Sequence, residues 1–256
     1  MPAQTDGEAE NPGPGLRVVA VNCTSLQKQL EQILKLDADV ILLTEVRATD
    51  PLQRHLQDQL RKKGFRVVWG APSTRRRFNG PIKPVGVALL VREPLRAQWV
   101  QPASQEARDF YDQGRLLHAA VALGKEVFHI IGVYGFSGAW LDRQQRAKNE
   151  PLLQQACQLV ASVGNCPAML TGDLNTTLGA SPALQSALAS GLVVDVAQLQ
   201  ADADGTVPQP TCFVRDTSQG SRIDHMLANR LACTTSAACQ LTLPSAVSCS
   251  WRTHTR

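Results

Sequence analysis

Apolar runs rich in β-branched residues alternate with segments of helical spacing in the first quarter of the chain. The runs LRVVAV (16–21) and DVILLT (39–44) are typical of buried strands. Between them, SLQKQLEQILKL carries apolar residues on one helical face, with Thr24 and Gln27 placed for a capping box. PLQRHLQDQLRKKG repeats the helical spacing, begins with a proline and ends at Gly64. The pattern predicts a strand, a helix, a strand and a second helix.

The middle of the chain is a succession of strand-like runs: FRVVWG, VGVALLV, LRAQWV, LLHAAVAL and VFHIIGVY. The helical segment EPLLQQACQLVAS leads into the apolar strand PAMLTG. A short helix, SPALQSALAS, then precedes the run GLVVDV, and RIDHMLAN is the last clear strand. Strands outnumber helices, no period of 20 to 50 residues repeats, and no linker-like segment divides the chain. We therefore expect one α/β domain over residues 16–256, with sheets covered by a few helices.

Composition adds an expectation for the N-terminal residues and for the cellular compartment. With 43% hydrophobic and 19% charged residues, the chain has an ordinary globular composition. Residues 1–15, MPAQTDGEAENPGPG, are rich in Gly, Pro and Glu without an apolar period, which predicts a flexible leader. The sequence has neither the apolar core of a signal peptide nor a run that could span a bilayer. We expect an intracellular protein, nuclear or cytoplasmic, without a membrane partner.

The net charge of +4 is unevenly distributed along the chain. Between Arg61 and Arg96 there are ten Lys or Arg residues and one acid, Glu93. Such an excess suits a polyanionic partner. The alternative is a solvated face, in which the RKK triplet merely occupies a helix C-terminus, where cations are favoured. The seven cysteines form no CxxC pair and no zinc-ligand spacing, so we expect reduced thiols.

Carboxylates and an amide directly follow two of the predicted strands. Glu45, in LLTEVR, can face a cleft at the carboxyl end of its strand, although a surface pair with Arg47 is an equally common arrangement. Asp173 and Asn175, in MLTGDLNTTL, have the i, i+2 spacing that puts both on one side of an extended segment. One could then accept a proton while the other donates to an oxyanion. An Asp-Asn turn that closes the strand is the alternative.

Asp224, in SRIDHML, lies inside a strand-like segment, where a carboxylate without a partner is costly. A histidine whose tautomer the aspartate fixes would be a useful partner. The candidates are His254, the adjacent His225, and two that lie in strand-like runs and are more simply structural, His118 and His129.

Three further polar residues stand at strand ends: Asn22 after the first strand, Arg115 before a middle strand and Tyr134 after another. Each is weak evidence by itself. Together with the carboxylates, they indicate a shared cleft that holds a hard divalent cation.

Taken in order, Asn22, TEVR, GRLLHAAV, GVYGFSG, TGDLN and SRIDHML resemble the endonuclease/exonuclease/phosphatase superfamily, which has the deoxyribonuclease-like fold. The resemblance covers residues 16–227. It implies a four-layer αββα sandwich, with two β-sheets packed face to face and helices outside. It also implies Mg²⁺, with Mn²⁺ as the alternative ion, and in-line hydrolysis of a phosphodiester or phosphomonoester.

The resemblance implies a role for each matching residue near the metal and the attacking water. Glu45 matches the principal Mg²⁺ ligand, and Asn22 its neighbour in the metal site. Asp173 matches the residue that orients or deprotonates the attacking water. Asn175 matches the residue that holds the scissile phosphate.

Tyr134 and Arg115 match positions that contact or organise the phosphate region, and Asp224 matches the carboxylate that orients the catalytic histidine. His254, 30 residues after Asp224, is the candidate for that histidine. However, Thr253 stands where the closing Ser-Asp-His motif of the family has its aspartate, and no Asp or Glu follows Asp224. Misplaced catalytic groups cost orders of magnitude in rate. We therefore expect a domain that is incomplete at its C-terminus, with weak activity.

Within the superfamily, SRIDH, PTCF and the basic segment resemble most closely the endonuclease domains of non-LTR retrotransposons. GVYGFSG lacks the Pro-Asn that follows the tyrosine in apurinic endonucleases. The first hypothesis is a Mg²⁺-dependent endonuclease that nicks one strand of duplex DNA, as a monomer and as part of a larger polyprotein. The alternatives are a phosphoesterase acting on RNA, phosphoinositides or sphingolipids, and a catalytically degenerate copy that only binds nucleic acid or another partner.

Overall fold

The computed structural model describes residues 16–74, 85–213 and 220–234. Four strands form the first sheet: β1 (Val18–Asn22), β2 (Val40–Thr44), β3 (Phe65–Trp69) and β4 (Val87–Arg92). Their order is β1-β2-β4-β3, with β1 and β2 parallel and the other pairs antiparallel. All five residues of β2 are buried, because both faces of this sheet are covered. That double burial explains the continuous apolar runs in the sequence.

Six strands form the second sheet: β5 (Arg96–Trp99), β6 (Leu116–Leu123), β7 (Glu126–Tyr134), β8 (Ala168–Asp173), β9 (Val194–Asp195) and β12 (Asp224–Ala228). The order is β5-β6-β7-β8-β12-β9, and only the β7–β8 pair is parallel. Two further short strands, β10 (Cys212–Phe213) and β11 (Gly220–Ser221), form an antiparallel ribbon of their own.

Seven helices accompany the sheets in the described ranges: α1 (Leu26–Ile33), α2 (Asp50–Lys62), α3 (Gln105–Asp112), α4 (Arg143–Ser162), α5 (Pro182–Ala189), α6 (Val196–Asp204) and α7 (Arg230–Thr234). Buried residues of α1 and α2 pack on the outer face of the first sheet, and those of α3, α4 and α5 on the outer face of the second. Between the sheets lies a third apolar cluster, to which Leu42 and Leu89 contribute from one sheet and Leu117 and Ile130 from the other. The layers are therefore α, β, β and α, which confirms the predicted αββα sandwich.

Several local features differ from the sequence analysis. Helices α6 and α7 were not predicted, and Val196, the last residue of the apolar run GLVVDV, begins α6. The helix α3 was not predicted; Ser104 begins it by accepting the Ala107 N–H at 3.1 Å. The capping box predicted for α1 is wrong, because Ser25 is the residue that precedes this helix and its side chain makes no capping bond. Thr24 instead has a left-handed backbone with φ 54°.

The strand ends that carry polar residues meet at one edge of the sandwich. Parallel strands β1 and β2 end together at Asn22 and Thr44, and parallel strands β7 and β8 end together at Tyr134 and Asp173. The antiparallel strand β12 begins opposite Asp173. Among the helices of the described ranges, none combines the length and apolar character needed to cross a bilayer.

Candidate active site

The side-chain amide of Asn22 joins the two sheets through their carboxylates. Its Nδ2 donates to Glu45 Oε1 at 3.2 Å and to Asp173 Oδ2 at 2.9 Å. Glu45 directly follows β2 of the first sheet, whereas Asp173 ends β8 of the second. Both carboxylates are buried, with 9% and 6% exposure. The first three residues of the predicted site therefore lie in contact.

Glu45 receives two more hydrogen bonds. Tyr134 donates its hydroxyl to Oε1 at 3.1 Å, and Arg47 donates a guanidinium N–H to Oε2 at 2.8 Å. The sequence offered a surface pair with Arg47 as the alternative to a functional site. The pair exists, but the buried Glu45 also belongs to the polar cluster between the sheets.

Asn175 turns back onto Asp173. The backbone N–H and the side-chain Nδ2 of Asn175 donate to Asp173 Oδ1 at 3.1 and 2.8 Å. The backbone of Asn175 is left-handed, with φ 51°, so the segment is a turn and not the extended stretch that the i, i+2 argument assumed. Both side chains are nevertheless buried and bonded to each other within the cluster.

Asp173 and Asp224 lie directly opposite each other on antiparallel strands β8 and β12. Burial raises the pKa of both, and the facing charge of Asp224 raises the pKa of Asp173 further. The pKa of Asp224 rises to about 6 through burial, although a hydrogen bond from Thr211 opposes the rise. A carboxyl pair with raised pKa values holds or accepts a proton more readily than free aspartates do.

Arg115 holds the chain that follows β7. Its guanidinium donates to Tyr134 O at 3.2 Å and to Gly135 O at 2.7 Å, and its carbon lies 3.8 Å from the centre of the Phe136 ring. The Tyr134 hydroxyl lies 3.0 Å from Ser137 Oγ as well as bonding to Glu45. Burial and the Glu45 charge raise the pKa of Tyr134, so the phenol remains protonated and able to donate.

The histidines offered as partners for Asp224 are bonded elsewhere. His118 Nε2 and His129 Nδ1 lie 2.9 Å apart and satisfy each other. His225 is buried and donates from Nε2 to Thr176 O at 2.9 Å. No hydrogen bond joins Asp224 to a histidine of the described ranges. His254 and Thr253 lie outside these ranges.

Non-glycine residues with a left-handed backbone are concentrated at this site. In the described ranges there are four: Thr24, Glu45, Arg47 and Asn175. Each follows β1, β2 or β8 within three residues. Side chains rarely adopt this conformation, and when they do the strain is commonly found at functional sites. This conformation could not be predicted from the sequence, because none of these residue types is specific for positive φ.

Two arginines of the basic segment, Arg66 and Arg92, lie at the other end of the first sheet. Arg92 pairs with Phe65, where β2 begins, while Glu45 follows the end of β2. The Arg92 guanidinium donates to the Leu36 and Ala38 carbonyls and covers the Phe65 ring. Arg66 forms an ion pair with Glu93. These arginines are therefore used within the fold. Residues 75–84 of the segment lie outside the described residues.

The donor set suits a cation with few protein ligands. No three His, Cys, Asp or Glu residues of the described part form a group that could hold a metal by themselves. Glu45, however, presents a buried carboxylate, and the Asn22 amide group sits between Glu45 and Asp173, in the position of a bridging positive charge. Mg²⁺ is commonly held by one or two carboxylates together with water. Glu45 could supply an oxygen ligand to such a cation, and Asn22 could supply its Oδ1, since its Nδ2 donates to the two carboxylates.

The αββα fold, with a cluster of polar side chains at the strand ends of both sheets, is the architecture of a phosphoesterase. The model of the endonuclease/exonuclease/phosphatase family matches residues 21–248, and the chain belongs to this family. A comparison with curated proteins finds no match.

Solved structures share the architecture at low sequence identity. The AP endonuclease of Archaeoglobus fulgidus is 17% identical, with TM-score 0.62 over 84% of this chain and 86% of that one. The 3′ phosphatase NExo from Neisseria, bound to a product DNA hairpin, is 18% identical, with TM-score 0.61 over 84% and 87%. The APE2 catalytic domain of Xenopus laevis is 20% identical, with TM-score 0.57 over 83% and 82%. At these identities the likeness shows the fold.

Two residues of the cluster escaped the sequence analysis. Thr211 accepts the N–H groups of Ile223 and Asp224 at 3.0 Å each, and Ser137 contacts the Tyr134 hydroxyl. Their motifs, PTCF and GVYGFSG, had contributed to the resemblance, but a lone hydroxyl residue in a loop gives no sign of its partner.

Proposed function

We propose that the chain is a Mg²⁺-dependent phosphodiesterase that nicks one strand of duplex DNA. The observation that carries the proposal is the bridge from Asn22 to Glu45 and Asp173, which brings a predicted metal ligand beside a predicted base. Family membership supports phosphoester chemistry. The DNA hairpin bound to the Neisseria phosphatase supports a nucleic acid as the partner.

Four residues act directly on the metal, the attacking water and the phosphate. Glu45 and Asn22 would hold Mg²⁺, or Mn²⁺ as the alternative, and the bound ion supplies charge neutralisation and a lower pKa for water. Asp173 accepts the proton of the attacking water, for which its raised pKa prepares it. Asn175 holds the scissile phosphate.

Three further residues support the reaction. Tyr134 holds Glu45 in place through its hydroxyl, and Arg115 fixes the chain that carries the tyrosine. Asp224 orients a histidine, for which His254 is our candidate. We infer that the enzyme acts as a monomer on intracellular DNA, in the nucleus or cytoplasm.

The finer assignment to retrotransposon endonucleases rests on the SRIDH and PTCF motifs. SRIDH contributes Asp224, and PTCF contributes Thr211, which binds the backbone of Asp224. We propose that the domain nicks target DNA and forms part of a larger polyprotein.

A plasmid assay tests the proposal. Supercoiled DNA is incubated with Mg²⁺ and the protein, beside the Glu45→Ala and Asp173→Ala variants. We expect each variant to lose at least about a hundredfold in nicking rate. Glu31→Ala and Asp58→Ala, which remove exposed carboxylates from α1 and α2, serve as matched controls and should nick at the normal rate. Unchanged nicking by the first two variants would refute the site.

The substrate class is tested in parallel. Duplex DNA, poly(A) RNA, inositol phosphates and sphingomyelin are offered to the same protein with Mg²⁺. We expect cleavage of the DNA to be fastest. Preference for any of the other three would replace DNA as the substrate.

A second candidate function is binding without catalysis. Its basis is Thr253, which stands where the closing motif of the resembled family has its aspartate. Tight DNA binding without nicking, together with a gain of nicking in Thr253→Asp, would favour this candidate.

A further inference from the structure

Arg47 is held in an unusual backbone conformation two residues after Glu45. Its φ is 53°, in the left-handed region, and its backbone N–H donates to Val85 O at 3.1 Å. The preceding N–H, of Val46, donates to Gly86 O at 3.2 Å. A left-handed backbone is strained for an arginine, and the hydrogen bonds to residues 85–86 keep it there. In this backbone conformation the Arg47 side chain lies against the Glu45 carboxylate.

The Arg47 guanidinium is only partly satisfied in this position. One terminal N–H donates to Glu45 Oε2 at 2.8 Å, while the buried Nε has no hydrogen-bond partner among the described residues. A buried guanidinium N–H without an acceptor destabilises its present arrangement. The Arg47 side chain therefore gains hydrogen bonds if it finds a different anion.

The two partners of this ion pair differ in their freedom to move. The Arg47 side chain is 34% exposed, whereas the Glu45 side chain is 11% exposed and also bonded to Asn22 and Tyr134. If another cation takes the carboxylate, Arg47 is the partner that leaves. Two positive charges on one carboxylate repel each other, so binding of one weakens the other.

We propose that Arg47 is the counter-ion of Glu45 in the metal-free protein, and that a divalent cation displaces it toward the substrate phosphate. The inference rests on the proposed function, in which Glu45 holds the cation. It adds a coupling: the metal releases the guanidinium, whose planar set of donors matches a phosphate group. Arg47 thus suppresses metal binding while it promotes substrate binding.

Metal binding without nucleic acid tests the first half. Free Mn²⁺ is measured by electron paramagnetic resonance during titration of wild type, Arg47→Gln, Arg47→Lys and Arg54→Gln. We expect Arg47→Gln to bind Mn²⁺ about tenfold more tightly, because a neighbouring positive charge is removed. Arg47→Lys keeps the charge and should stay within about threefold of wild type. Arg54→Gln removes an exposed arginine of α2, paired with Asp50, and should match wild type.

Substrate binding tests the second half. At saturating Mg²⁺, Arg47→Gln should raise KM for a duplex oligonucleotide by about tenfold or more, because a phosphate contact is lost. Arg47→Lys should raise KM less. Tighter Mn²⁺ binding with an unchanged KM in Arg47→Gln would overturn the phosphate contact.

Glu45→Gln separates this inference from the proposed function. If Glu45→Gln binds Mn²⁺ as tightly as wild type, the metal assignment and the proposed function fall. If Glu45→Gln loses Mn²⁺ while Arg47→Gln binds it no more tightly than wild type, only the counter-ion inference falls. Loss in Glu45→Gln with a gain in Arg47→Gln supports both.

Discussion

Asp173 and Asp224 stand directly opposite each other on neighbouring antiparallel strands, so a buried and a half-buried carboxyl group face each other at one end of the second sheet. Facing like charges destabilise a sheet, and burial adds the cost of desolvation. Both effects act on the folded protein, because the unfolded chain exposes both groups to water. The arrangement lowers the stability of the folded protein and raises the pKa of both carboxyls above the ordinary value for aspartate.

The first prediction concerns the stability cost of Asp224. Its pKa rises from 3.8 to about 6 on folding, so the folded state is favoured by this group below pH 3.8, and that advantage is lost as pH rises through 6. Asp224→Asn removes the ionisation. At pH 8 in EDTA, we expect the variant to unfold in urea with a free energy about 2 kcal/mol larger than wild type.

The difference should shrink toward zero near pH 4, where Asp224 is protonated in the folded protein. Asp58→Asn, on the exposed face of α2, is the control and should change little at either pH. A less stable Asp224→Asn at pH 8 would show that hydrogen bonding to the ionised carboxylate outweighs its burial.

The meeting of the site residues was predictable from strand ends. Apolar runs located β1, β2, β7 and β8 well enough to show which polar residues follow them. Parallel neighbours end at the same edge, so Asn22 falls beside the Glu45 segment and Tyr134 beside Asp173. The strand pattern cannot show that the β1–β2 ends of one sheet meet the β7–β8 ends of the other. The contact that joins them, from Asn22 to Asp173, spans 151 residues of sequence.

Other features depend on tertiary contacts that leave no local pattern. The basic segment looked like one surface, yet Arg92 covers Phe65 and Arg66 pairs with Glu93 far from Glu45. Charge along a sequence does not reveal which cations the fold uses internally. Helix α3 presents Ala107, Phe110 and Tyr111 at helical spacing, but this short stripe lies between strand-like runs and was not recognised as a helix.

The second prediction concerns acid stability through His118. Burial and the neighbouring His129 lower the pKa of His118 from 6.5 to about 4. Between pH 6.5 and 4 the unfolded chain therefore binds a proton that the folded protein does not bind. The free energy of unfolding falls as pH falls through this window. Relative to wild type, His118→Gln should gain about 2 kcal/mol in unfolding free energy between pH 7.5 and 4.5.

Urea denaturation at the two pH values measures this gain. His55→Gln is the control, because it replaces an exposed histidine of α2 whose hydrogen-bond partner among the described residues is Gln59. Equal acid sensitivity in wild type and His118→Gln would mean that the His118–His129 pair takes up protons without breaking.

The third prediction concerns the close approach of β7 and β8 just before Asp173. Gly172 has φ 133°, and a Cβ there would lie 2.2 Å from Val133 O. Gly172→Ala should lower the unfolding free energy by about 3 kcal/mol or more, because the parallel strands must separate. Thermal unfolding followed by circular dichroism measures the loss. Gly179→Ala, where a Cβ meets nothing within 4 Å, should shift stability by less than about 1 kcal/mol.

The fourth prediction concerns Thr211, which positions Asp224 from the neighbouring ribbon. Its hydroxyl accepts two backbone N–H groups, of Ile223 and Asp224, and its hydrogen bond to the Asp224 carboxyl lowers the pKa of that group. Thr211→Val keeps the shape but leaves both N–H groups without an acceptor. We expect a loss of about 2 kcal/mol in unfolding free energy and a further rise in the pKa of Asp224.

Two measurements separate positioning from simple destabilisation. Urea unfolding gives the free energy, and carbon-13 NMR of the Asp224 carboxyl during a pH titration in EDTA gives its pKa. Thr211→Ser restores the hydroxyl and should return the pKa to the wild-type value even if some stability stays lost with the methyl group. If Thr211→Val unfolds more easily but Asp224 titrates as in wild type, Thr211 supports only the fold. A raised pKa in the valine variant that serine reverses assigns Thr211 to the control of Asp224, because packing alone cannot reproduce a change that follows the hydroxyl.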